Sequence, residues 1–118
     1  MVDVDGTWRF TALAGADVAA LGERAPWLTF DGDGQVYGMA GVNRVRGTWT
    51  ADGDTIRFGP VVSTLMAGPP EATACERAVL GLLSSTLTVA APGARELRLV
   101  SAEGADAALV RDEKIGLD

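Results

Sequence analysis

The stretch Gly38-Met39-Ala40-Gly41-Val42-Asn43-Arg44-Val45-Arg46-Gly47-Thr48-Trp49 constrains what this chain can fold into more than any other. Val36, Tyr37, Met39, Val45, Thr48 and Trp49 favour a pleated surface, and glycines interrupt it where side chains would collide. The pattern predicts strand, tight connection, strand. Asn43 falls in the turn, where a short amide bonds nearby backbone and tolerates a left-handed conformation. A phosphate cradle is excluded, because no Lys or Ser/Thr follows at P-loop spacing and no helix opens here to present its amides.

The flanking residues extend the β pattern. Asp31-Gly32-Asp33-Gly34 joins 27–30 to 35–40, and Asp52-Gly53-Asp54 joins 46–51 to 55–58, so both read as hairpins. Upstream, 6–13 alternates, with Trp8, Phe10 and Ala12 on one face and Thr7, Arg9 and Thr11 on the other, as a half-buried strand does. Residues 14–26 form a connection with a short helical turn near Asp17-Val18-Ala19-Ala20-Leu21.

The pattern changes at 59–68, an apolar connection ending in Pro69-Pro70, where proline suits the first turn of a helix. That helix is predicted from Pro70 to about Ser84. Glu71 favours its positive end, and Ala72, Cys75, Val79, Leu82 and Leu83 share one stripe. Three further strands follow at 87–90, 96–100 and 107–111, separated by turns at Pro92-Gly93 and Glu103-Gly104. Residues 112–118 are expected to fray. The predicted fold is a single α+β domain over 1–118 with its core at about 6–111. It is an antiparallel curled sheet or partial barrel of about seven to eight strands, with one helix packed on it.

At 118 residues such a domain buries roughly two thirds of its unfolded surface without needing staples. The net charge of −6 and the scatter of the ten basic residues exclude a nucleic-acid partner and an anionic membrane surface. The chain has no histidine, which removes Ser-His and Cys-His catalysis, the usual zinc sites and a histidine pH switch. Ser63, Thr64, Ser84 and Ser85 therefore lack a base, and Lys114 has no Ser-x-x-Lys spacing. The sequence predicts no enzyme, no catalytic or cofactor-binding residue and no metal site; the Asp31/Asp33 and Asp52/Asp54 pairs are explained by their turns. Glu71 and Glu76, five apart on a helix, point in different directions, and Glu76 is expected to cap or pair near the 64–66 connection.

Cys75 is alone and lies on the helix stripe as a small core residue. Residues 1–5 lack a signal-peptide pattern and no run reaches eighteen apolar residues, so no membrane span is expected. The chain as written is then cytoplasmic if Met1 is the native start, and an envelope or secreted protein if it is an excised domain. Oligomeric state stays open.

With these segments in hand, the chain resembles the META domain family, whose bacterial members include heat-shock proteins of the HslJ type. The resemblance runs from about Gly6 to Arg111. It is carried by Trp8, Leu28-x-Phe30, Gly38, Gly41-x-Asn43, Gly47, Thr64-x-Met66-Ala67, Pro69-Pro70 and Glu76. It implies a compact β-rich fold around one helix, often at the cell envelope, with no established catalytic activity and links to heat shock, antibiotic tolerance and motility. The family pattern commonly carries cysteine where this chain has Val42 and Gly68, so a disulfide or thiol role does not carry over.

Two roles are expected for the residues singled out. Trp8, Phe30, Gly38, Gly41, Asn43, Gly47, Thr64, Met66 and Glu76 form a structural signature. Trp27, Tyr37, Met39, Trp49 and Met66 are either core or the lining of an apolar groove for a lipid or peptide. The expected function is a non-enzymatic domain that binds a protein or hydrophobic segment in a stress or cell-envelope setting. The alternatives are a purely structural accessory domain of a larger envelope protein and a small lipid or peptide carrier.

Overall fold

The computed structural model describes residues 4–112. Met1, Lys114 and most of the tail expected to fray therefore lie outside the described residues. Asp112 lies within them and is held: its N–H donates to the Thr7 carbonyl at 2.9 Å and its carboxylate meets Arg9 at 3.3 Å.

The elements run in the order β1 (Gly6–Leu13), two short 3-10 turns across a kink at Gly22 (Val18–Arg24), β2 (Trp27–Phe30), β3 (Gln35–Met39), β4 (Arg44–Asp52), β5 (Thr55–Phe58), β6 (Val62–Ser63), α1 (Pro70–Leu83), β7 (Leu87–Ala90), β8 (Glu96–Ser101) and β9 (Asp106–Arg111). Setting β6 aside, the other eight strands pair antiparallel with their chain neighbours, and β1 pairs with β9 to close the ring. The expected partial barrel is thus a closed one. Eight strands alternating in direction bring the last beside the first in antiparallel sense, and closure satisfies both edges.

The Asp-Gly hairpins join β2 to β3 and β4 to β5. In the first, Asp31 Oδ1 accepts the Asp33 N–H at 3.0 Å, the local bond that makes aspartate a turn residue.

The alternation predicted for β1 fails at one place. Ala12 is exposed and Leu13 is buried, because the register against β9 slips between Phe10 and Ala12. An extra residue at a bulge moves every later side chain to the other face. Inside, Trp8, Phe10, Leu28, Phe30, Ile56, Leu97, Leu99 and Leu109 fill the barrel with fully buried side chains. Trp8 Nε1 is satisfied by the Val4 carbonyl at 2.9 Å.

Helix α1 buries its predicted stripe, and Cys75, Val79, Leu82 and Leu83 join the same core while Ala72 is covered beside the Gly41 turn. Pro70 opens it at a position where a backbone N–H would have no helical partner. Burial first, and then the Asp17 carboxylate, push the Cys75 thiol above its usual pKa, which keeps it protonated and poorly nucleophilic.

Candidate functional site

The turn at 41–43 is where helix, barrel and connection meet. Gly41 lets them approach: a Cβ there would fall 2.9 Å from the Glu76 backbone nitrogen and closer still to the Ala72 carbonyl. With the helix this near, Glu76 reaches the turn, and its Oε1 accepts the N–H groups of Val42 at 3.0 Å and Asn43 at 2.5 Å. Its Oε2 accepts from Asn43 Nδ2 at 2.8 Å.

Asn43 passes this hold on to the apolar connection. Its Nδ2 also donates to the Met66 carbonyl at 3.0 Å, while its Oδ1 accepts from the Met66 N–H at 2.7 Å and from Thr64 Oγ1 at 2.9 Å. Its own carbonyl accepts the Ala40 N–H at 2.9 Å. An Asn side chain offers two donor hydrogens and two acceptor lone pairs, so the amide is saturated, as a side chain only 4% exposed requires. Asn43 sits in the turn as expected, but the left-handed backbone and local amide bonds expected of it are corrected. Its φ is not positive, and its amide bonds chain 21 to 33 residues away rather than local backbone. Glu76 likewise reaches 64–66 only through Asn43.

Pinned at its backbone, the connection turns its side chains outward. Leu65 is 95% exposed, Val62 68% and Met66 67%, and Tyr37 on the neighbouring face is 36% exposed. A groove of about 370 Å³ runs beside them, lined by Trp27, Tyr37, Arg44, Arg46, Val62 and Thr64 among others. Of the residues expected to form an apolar surface, the structure brings Trp27 and Tyr37 into this groove and Met66 to the adjacent segment. Met39 is half-buried on β3, paired with Trp27 and Arg44 across the ladder.

Trp49 does not join them. It packs edge-on against Phe30 at 5.3 Å, with its Nε1 donating to the Asp31 carbonyl at 2.9 Å, because its β4 position faces the core. Gly38 and Gly47 are strand residues on the inward parity of β3 and β4, and Trp8 and Phe30 are core.

Val62, Leu65, Arg44 and Arg46 were not singled out from sequence. A signal for two of them existed: large apolar residues without strand or helix period, bounded by Gly59-Pro60 and Gly68-Pro69, in a loop that is ordinarily polar.

Positions 42 and 68, where the resemblance places cysteine, face one another. A Cβ added to Gly68 would lie 3.3 Å from the Val42 Cβ and 2.5 Å from its Cγ2, so in this chain a methyl group fills the gap. Among the described residues no group of three or more His, Cys, Asp or Glu side chains is gathered to hold a metal ion, and no helix is long and apolar enough to cross a membrane.

Together these features define a small closed antiparallel barrel, plugged by one helix and carrying a pinned apolar strap outside its wall. The chain belongs to the META domain family, whose profile matches residues 2–114. No curated protein matches it significantly. Among solved structures it is similar to a Burkholderia xenovorans protein determined by NMR, with 22% identity, a TM-score of 0.75 and coverage of 92% of this chain and 83% of that one. A second NMR structure gives 14% identity and a TM-score of 0.70, covering 93% and 95%. The crystal structure of a DUF4847 family protein from Bacteroides vulgatus gives 16% and 0.66, covering 92% and 94%. Likeness at these identities shows the shared fold.

Proposed function

We propose that this protein is a non-enzymatic binding domain that takes an extended apolar segment of another protein on the face formed by Trp27, Tyr37, Val62, Leu65 and Met66. One observation carries the reading. A saturated hydrogen-bond network built from Asn43, Glu76 and Thr64 holds a strap whose large apolar side chains lie in water. A fold that held the same backbone only for stability would gain by placing polar residues there. The filled interior favours this outer face over a lumenal lipid carrier. A setting at the cell envelope or in a stress response is drawn from the family resemblance alone.

The test is an immobilised array of 13-residue peptides, probed with the wild-type protein and with Leu65→Asp. Burying one large apolar side chain contributes about 1.5 to 3 kcal/mol, so the variant should bind apolar peptides roughly tenfold or more weakly at unchanged melting temperature. An array left blank by the wild type would favour the accessory-domain reading instead.

A further inference from the structure

Each strand of the closed barrel has a strand on both sides, and β6 is the exception. Its one neighbour is β4, through Val45↔Ser63 and Arg46↔Val62. The ladder continues one residue further, where the Thr64 N–H donates to the Arg44 carbonyl at 3.1 Å. Main-chain groups alternate in an antiparallel ladder. Those of Val62 and Thr64 therefore turn toward β4, and those of Ser63 turn away from it, onto an edge that no strand among the described residues covers. Most proteins blunt such an edge with charge or cover it, whereas here it carries Val62 and runs into Leu65 and Met66.

The surface beside this edge has a definite charge. Arg44 and Arg46 lie directly across the ladder from Thr64 and Val62 and line the groove, which has no acidic residue in its wall. Arg46 is aimed by a neutral partner, Gln35, whose Oε1 accepts from its Nη2 at 2.6 Å and its Nε at 3.2 Å, and it sits 5.9 Å over the Tyr37 ring. Arg44 makes no ion pair among the described residues. Arg44 beside an open strand edge, with Arg46 behind it over β3 and neither ion-paired among the described residues, is a local reversal of the field of a chain of net charge −6.

Resting on the binding reading above, we propose that β6 captures an extended protein segment as an added strand, and that this segment alternates acidic and apolar side chains. Its main chain pairs with the free N–H and C=O of Ser63. Its carboxylates fall on the face shared with Val62, where Arg44 reaches them while Arg46, held over β3 by Gln35 and Tyr37, adds positive field from behind, and their methylene stems cover Val62. Its apolar side chains fall on the opposite parity, beside Leu65. Affinity comes from the main chain and specificity from the alternate side chains, as in other strand additions to a sheet edge.

The probes are a capped hexapeptide alternating glutamate and valine, its lysine-valine counterpart, and the glutamate peptide N-methylated at alternate amides, each titrated into the full chain by amide NMR. The glutamate peptide should shift the Ser63 and Leu65 amides and slow their exchange. The lysine counterpart should bind at least tenfold more weakly, and Arg44→Glu should reverse that preference. N-methylation on the pairing side should abolish binding while leaving the protein unaltered, and Ser63→Pro should do the same from the protein's side. Equal binding by the parent and N-methylated peptides, with shifts at Val62, Leu65 and Met66, would overturn strand addition and leave the apolar-surface reading standing. Absence of binding by these probes and by every peptide on the array would remove both. A ligand-free dimer in sedimentation that the glutamate peptide fails to dissociate would overturn the proposal by giving the edge to a second copy.

Discussion

At the scale of single residues, Asn43 holds the most structure per atom. Asn43→Ala would leave the Met66 amide, the Met66 carbonyl and one Glu76 oxygen without their buried partner, at about 2 to 4 kcal/mol measured by urea unfolding. A loss below about 1 kcal/mol would mean that water replaces the amide. Gly68→Ala should cost about 1 to 3 kcal/mol, because the new methyl meets the Val42 side chain, and Val42→Ala should recover much of that loss in the double variant. Additive single effects would rule out the contact. At the surface, Arg98 grips Asp106 through Nε at 3.0 Å and Nη2 at 2.6 Å, and this bond holds the Asp106 carboxyl below its ordinary pKa against a smaller opposing effect of burial. A lowered folded-state pKa stabilises above the usual carboxylate range, and the effect is lost as pH falls through the lowered value. Thermal melts of wild type and Asp106→Asn should therefore differ modestly near neutral pH and converge in acid, and a constant gap would contradict the pairing. Asn43 and Glu76 were recognisable in sequence as family-signature residues. Their partnership was not, because 33 residues separate them and neither residue type announces a distant partner.

At the scale of elements, legibility followed periodicity. Helix α1 was readable to within a residue because its stripe recurs at helical spacing over a full 14 residues and two prolines mark its start. Strand β1 was readable in extent but not in facing, because the bulge after Phe10 adds a residue without any sequence mark that a single chain reveals. Strand β6 was invisible: two residues are too few to show alternation, and pairing with β4 defines it. The α1 stripe also carries a prediction. Leu82→Asp places an unpaired carboxylate in the core the helix shares with the barrel, so loss of cooperative unfolding or a drop of at least about 3 kcal/mol is expected in a denaturant melt. A native-like melt would mean that α1 is an ornament on a barrel that stands alone.

At the scale of the whole molecule, closure of the barrel and exposure of the strap belong together. Eight strands satisfy one another around a filled interior, leaving β6 as the strand with a free edge and the residues after it as the apolar surface. The antiparallel meander could be anticipated from hairpin spacing, whereas its closure rests on the β1–β9 pairing and the outward-facing strap on a hydrogen-bond network assembled from three distant parts of the chain. The competing site on the same molecule is the larger groove of about 530 Å³ across β1, β8 and β9, walled by Thr11, Arg98 and Asp106. The most direct measurement is amide NMR of the full chain with the best-binding apolar peptide from the array. Binding at the strap should give shifts confined to Trp27, Tyr37, Arg44 to Arg46 and Val62 to Met66. Shifts centred on Thr11, Arg98 and Asp106 would contradict it.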